Sequence, residues 1–295
     1  AFMSASAQNS MPQDRTKFYK FGDNFIFDSF AQPYHSGDSV SISVFYKISY
    51  DALVFSQKDD LFISIVQVEF AFKDESGIIR RRKSATDTIY VATFEESKDR
   101  SKFCIGQVEA VLPISDYSIA AQVFDSKSQS LFKASMELKN ISKFTKSHAI
   151  LQPIFATQKN GVLNVYQLQG SIPFSSAPLT IMLPISFAQD STCKYSISKK
   201  EDKAEANWGE YTATSGEAKI IKNTSLAFSK SEDIIAEVNY GSSPKDSQYD
   251  LLTIELSGNS FVPGNYLLTL GNSSLSDTLS FKVVWEDMPL SLRDV

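Results

Sequence analysis

Residues 251–285 read LLTIELSGNSFVPGNYLLTLGNSSLSDTLSFKVVW, and the fold follows from this stretch. An alternating strand meets Pro263, a turn follows, and Tyr266 opens a second alternating strand. A Ser/Asn/Asp-rich turn then leads into a last one. Residues 107–138, QVEAVLPISDYSIAAQVFDSKSQSLFKASMEL, repeat the arrangement with Pro113 and Tyr117. Alternation with period two is the signature of a strand with one face buried. Proline has no N–H and a fixed φ, so it ends a strand cleanly. A tyrosine that opens the next strand can bury its ring and bond its hydroxyl to nearby backbone, as at the corner of immunoglobulin-like sandwiches. The doubled hairpin therefore predicts two domains, each closed in the same way.

The rest of the chain agrees. Its 295 residues exceed the usual ~100–200 per domain, and half that length encloses a core without disulfides or metals. Phe21, Phe25 and Phe27 alternate with polar neighbours in an opening strand. Residues 40–46 put Val40, Ile42, Val44 and Tyr46 on one face and Ser41, Ser43 and Phe45 on the other, which predicts a half-buried strand. Residues 61–72 alternate with a phase change near Ile65 that predicts a bulge. KDESG (73–77) is a tight turn and 78–91 the returning strand. Strands at 102–112, 117–124 and 131–138 complete about seven. Further strands are expected at 150–155, 178–185, 193–198, 217–221, 233–238, 249–256, 266–270 and 278–284.

The expected fold class is all-β, as two tandem immunoglobulin-like antiparallel β-sandwich domains. The boundaries read as a disordered segment 1–16, a first sandwich 17–141, a polar linker 142–147, a second sandwich 148–285, and the start of a truncated C-terminal region at 286–295. Ala5 and Ala7 around Ser6 read either as the remnant of a signal-peptidase site or as part of a Ser-rich terminus.

Composition bounds function. A net charge of −5 opposes the excess of clustered cations that nucleic acid requires. No apolar run approaches the ~18 residues of a membrane span. Cys104 and Cys193 lie in different halves without CxxC spacing, and are expected to be unpaired and buried.

Catalytic signatures are missing: HExxH, GxSxG, Walker loops and GxGxxG do not occur. The S-x-x-K matches at Ser130–Lys133 and Ser196–Lys199 fall in strands, whereas that nucleophile needs a helix N-terminus. His35 and His148 have no third ligand at metal spacing. The acidic pairs Asp59/Asp60, Glu95/Glu96 and Glu201/Asp202 lack the interleaved spacing of a calcium loop. No catalytic, cofactor-binding or metal residue is therefore assigned, and no cofactor is expected.

Two features invite a binding role. Arg80, Arg81, Arg82 and Lys83 form the densest charge run. On a strand half of them would point inward unless the strand lies at an edge or the segment is irregular; charge at an edge also discourages strand addition from other chains, and the alternative is a patch for anionic partners. Trp208 sits beside Gly209 in a charged insertion at 199–210 and either packs on its own domain or stacks on a sugar or a partner.

The segment VSISVFYKISYDALVF (40–55), the DESG turn, LPISDYSIAAQVFD (112–125) and FKVVWEDMPLSL (281–292) together resemble the N-terminal region of bacterial GWxTD domain-containing proteins. The Gly-Trp-x-Thr-Asp motif itself is absent, and Trp208-Gly209 is the reverse order. In the family that motif lies in a helical C-terminal domain, so the resemblance implies the β-rich front of a longer protein, located in the periplasm or outside the cell. It implies no reaction and no functional residue. The expected function is a non-catalytic interaction or spacer module with a protein partner in the envelope. A carbohydrate-binding module and the substrate-positioning arm of an enzyme are the alternatives.

Overall fold

The computed structural model describes residues 24–34, 38–125, 129–143, 150–159, 162–165, 171–174, 177–185, 190–200, 214–229, 237–242, 249–257, 261–271 and 276–284. The expectations for 1–16, Phe21, His35, His148, Trp208, Glu201/Asp202 and 286–295 lie outside these residues.

The first half contains β1 (Phe25–Tyr34), β2 (Ser39–Ser49), β3 (Ser56–Lys58), β4 (Leu61–Asp74), β5 (Ile79–Val91), a helical turn α1 (Phe94–Ser97), β6 (Phe103–Pro113), β7 (Tyr117–Phe124) and β8 (Ser130–Leu138). One sheet has the order β1-β2-β6. In the other, β4 is central, with β5 on one side and β3 and β7 on the other, and β8 follows β7. Their inner faces enclose Phe27, Val44, Tyr46, Phe70, Phe72 and Ile119. The alternation that predicted these strands also selects which side chains meet in the core.

The second half contains β9 (Ile154–Lys159), β10 (Val162–Val165), β11 (Ser171–Pro173), β12 (Leu179–Ile185), β13 (Thr192–Lys199), β14 (Thr214–Ile221), β15 (Thr224–Ser229), β16 (Glu237–Ser242), β17 (Asp250–Leu256), β18 (Gly264–Gly271) and β19 (Ser276–Val284). These form one continuous sheet in the order β11-β19-β18-β13-β14-β17-β12-β9-β10-β16-β15. The sheet curls into a sandwich around Phe155, Ile181, Leu183, Ile197, Leu252, Ile254, Tyr266, Leu268 and Phe281. Among the described strands only β11–β19 is a parallel pair.

Strand β2 departs from expectation, because it is buried on both faces rather than one. Ser41, Ser43 and Phe45 read as the solvent face, yet their side lies against the second half. Phe30 and Phe45 share a cluster with Ile154, Ala156, Val165, Met182, Leu226, Val238 and Leu251. Phe228 stacks on Phe30 with ring centroids 5.8 Å apart and meets Phe45 at 5.2 Å. Small serines between the aromatics let another sheet approach closely, a circumstance that period-two patterning does not register.

A second departure concerns Ile65. The β4–β5 register runs unbroken from Phe62↔Val91 to Phe72↔Arg81, and the irregularity falls between Phe72 and Lys73 instead. Ile65 simply faces outward and is exposed; the supposed phase change was an apolar residue on the outer face.

Other boundaries shift by a few residues. Ile150 makes an isolated bridge to Ile185, and β9 begins only at Ile154. Strand β16 runs Glu237–Ser242, later than the expected 233–238. Four short strands (β3, β10, β11 and β15) were not foreseen; three of them have only three or four residues, too few to establish a period. The start of the supposed linker is anchored. Asp116 accepts from the backbone N–H groups of Asn140 and Ser142, each at 3.0 Å, and Ile141 between them is buried.

Candidate functional site

Both corner tyrosines behave as the hairpin predicts. Tyr117 Oη donates to the Pro113 carbonyl at 2.6 Å. Tyr266 Oη donates to the Val262 carbonyl at 2.6 Å and accepts from Val262 N–H at 3.0 Å. Both rings are buried, which makes these residues structural.

The sheet edges of the first half are more open. Asp87 on β5 points inward, toward a cleft of about 330 Å³ between β5 and β6 lined by Tyr46, Ala85, Asp87 and residues 106–109. Tyr46 Oη donates to Asp87 Oδ2 at 2.8 Å, and Cys104 Sγ donates to the same oxygen at 3.7 Å. Burial, followed by the nearby Asp87 charge and this hydrogen bond, pushes the Tyr46 phenol well above its ordinary range, so it remains a neutral donor. Glu109 accepts from Ser41 Oγ at 2.5 Å. These hydrogen bonds tie β2, β5 and β6 together around the cleft.

Tyr46 fits there because its cross-strand neighbour is Gly106. A Cβ at position 106 would lie 2.0 Å from the Tyr46 ring, so the ring crosses the β6 backbone where only glycine leaves room. The second half repeats the device with Tyr195 opposite Gly216, where a Cβ would lie 2.9 Å from the hydroxyl. Sequence reading missed this cluster because Tyr46, Asp87, Cys104 and Gly106 share no motif.

The candidate cation sites resolve into local structure. Asp59, at φ 55°, and Asp60 form the two-residue turn between β3 and β4. Glu96 caps α1, accepting from Ala92 N–H at 2.8 Å and from Lys102 at 2.8 Å, while Thr93 Oγ1 accepts from Glu96 N–H. Among the described residues, no group of His, Cys, Asp or Glu could hold a metal ion. Ser130–Lys133 lies on β8 and Ser196–Lys199 on β13, both strands. Cys104 and Cys193 are buried thiols outside any disulfide. No helix among the described residues is long and apolar enough to cross a membrane.

The basic run has the more distinctive setting. Strand β5 pairs with β4 alone among the described strands, so Arg80–Lys83 do sit on a sheet edge. The turn before them is built by Asp74, whose Oδ1 accepts from Ser76 and Ile78 N–H at 2.9 and 3.0 Å; Gly77 supplies the positive φ of 76°. The irregularity after Phe72 leaves Arg80 unpaired in the ladder and brings its guanidinium to Asp74 at 2.5 Å. Arg81 and Arg82 are exposed and Lys83 half-buried, and none of the three has an acidic partner among the described residues. Ile78 and Ile79 beside them are exposed too. The turn and the start of β5 are thus exposed at the sheet edge, while β4 stays paired with β7 as far as Asp74.

No protein-family model matches the chain, and no curated protein matches it. Among solved structures, the chain is similar to a glycosyl hydrolase family 2 member from Bacteroides cellulosilyticus DSM 14838. That match has 10% identity and a TM-score of 0.22, covering 88% of this chain and 29% of the other. It is also similar to the exo-beta-D-glucosaminidase CsxA, with 11% identity, a TM-score of 0.21, and coverage of 85% and 26%. The chain spans less than a third of the length of these structures.

Proposed function

We propose that this chain is a non-catalytic interaction and spacer module of a bacterial envelope or secreted protein, akin to the β-rich region of GWxTD domain-containing proteins. The observation that carries the reading is the β4–β5 hairpin, whose long strand β5 is paired on one side only among the described strands. An unpaired edge on a packed scaffold is a surface for strand addition. The shared Phe30, Phe45 and Phe228 cluster supports the spacer aspect, because it joins the two halves through buried aromatic contact. The envelope setting is supported by the sequence resemblance in 40–55 and 281–292.

Affinity capture from a bacterial envelope fraction, with residues 1–295 as bait, tests the reading. A stoichiometric partner retained through salt washing is expected. Capture of nothing above a β-sandwich control removes the interaction role and leaves a spacer.

A further inference from the structure

We propose that the free edge of β5 at residues 79–84 receives an extended acidic segment of a partner protein as an added strand. This rests on the interaction-module reading and gives the partner its chemistry.

The available edge is short and well delimited. From Ala85 onward β5 faces β6 across the cleft lined by Ala85, Asp87 and residues 106–109. Residues 79–84 lie beyond it, with Ile79–Arg82 exposed and β4 on one side only among the described strands. Alternate N–H and C=O groups of such a strand point away from its neighbour. Six residues accommodate a segment of roughly 20 Å.

Charge selects the occupant. Arg81 is opposite Phe72 and Lys83 opposite Phe70, on the face that continues the core, while Arg82 is opposite Ala71 on the other. Cations therefore flank the ladder on both faces within three consecutive residues. A strand laid along it meets all three with three consecutive acidic side chains, since directly opposite residues share a face. A second copy of β5 brings the same cations into opposition and is disfavoured. An anionic bilayer is flat and reaches one face of the ladder, leaving the other unused. The chain's net charge of −5 makes this basic edge a local feature, not a consequence of overall composition.

The test uses the whole chain and a fluorescein-labelled peptide, TVEDEVT, followed by anisotropy at physiological salt. Two further peptides carry N-methyl groups on one or the other alternate set of amides. Binding of the parent is expected, with one methylated peptide weakened about tenfold or more and the other unchanged, because only one set of amides faces β5. Arg81→Glu with Lys83→Glu is expected to weaken the parent about tenfold or more through lost and reversed cross-strand pairs, with an unchanged melting temperature. Equal binding of all three peptides, tighter binding to phosphatidylserine vesicles than to peptide, or no peptide binding overturns the proposal. If the double variant still captures the same envelope partner, the edge proposal fails while the interaction reading stands. If the wild-type chain captures nothing, the interaction reading itself fails.

Discussion

Gln32 and Tyr249, 217 residues apart in sequence, are joined by a 2.6 Å hydrogen bond from the Tyr249 hydroxyl to Gln32 Oε1. Leu226 completes the arrangement. Its N–H donates to Tyr249 Oη at 2.8 Å and to Gln32 Oε1 at 3.1 Å, and its carbonyl accepts from Gln32 Nε2 at 2.9 Å. Tyr249 also packs into the first core although it belongs to the second half. The hydroxyl, the amide and an edge of β15 thus satisfy one another where the halves meet. Gln32→Ala and Tyr249→Phe are each expected to destabilise by about 1–3 kcal/mol, because each leaves buried polar groups unsatisfied. A double-mutant cycle in urea is expected to show coupling of about 0.5–3 kcal/mol, and additive effects would disprove the clamp.

The two glycine–tyrosine pairs differ in tightness. Tyr46 is fully buried and held by Asp87, so it has nowhere to move when Gly106 gains a methyl group. Tyr195 is half-buried, and its hydroxyl end can swing away from Gly216. Gly106→Ala is expected to cost at least the ~1–3 kcal/mol of overpacking, and Gly216→Ala well under 1 kcal/mol. Equilibrium denaturation of the pair reads the difference.

Removing the corner hydroxyls tests the repeat that defines the fold. Tyr117→Phe is expected to destabilise by ~1 kcal/mol through one lost hydrogen bond. Tyr266→Phe is expected to do more, since Tyr266 Oη both donates to and accepts from Val262. Unchanged denaturation midpoints for both would remove the corner assignment.

Alkaline stability follows from buried phenols. Burial raises the Tyr46, Tyr117 and Tyr249 hydroxyls above their ordinary value, with the Asp87 charge adding to the effect at Tyr46. A phenol whose folded pKa exceeds its unfolded one keeps its proton in the native state while the unfolded chain loses it. The stabilisation is complete below about pH 10 and declines as pH rises beyond that toward the folded values. Urea midpoints are expected to fall above about pH 10, and these tyrosines to ionise at 295 nm only as the fold is lost. A midpoint constant to pH 12 would contradict the assignment.

Thiol accessibility gives a separate check on the core. Both cysteines are buried thiols outside any disulfide, and burial raises the Cys193 thiol above its ordinary range. Ellman's reagent is expected to find no reactive thiol in the native chain and two in denaturant. Rapid native labelling would show that one half opens.

Period-two alternation, the two prolines and the two corner tyrosines determined most of the longer strands and the closing hairpins, because each acts through residues close in sequence. The edge position of Arg80–Lys83 was also legible, since four consecutive charges have no place in a central strand. What covers the Ser41/Ser43/Phe45 face was not legible. Serine suits water or a neighbouring sheet equally, and only assembly brings Phe228 and Leu226 to β1 and β2. The same holds for Tyr46, Asp87, Cys104 and Gly106, gathered from three strands at separations that no local pattern encodes. Local chemistry chose the strands; burial of the surfaces they left exposed decided how they came together.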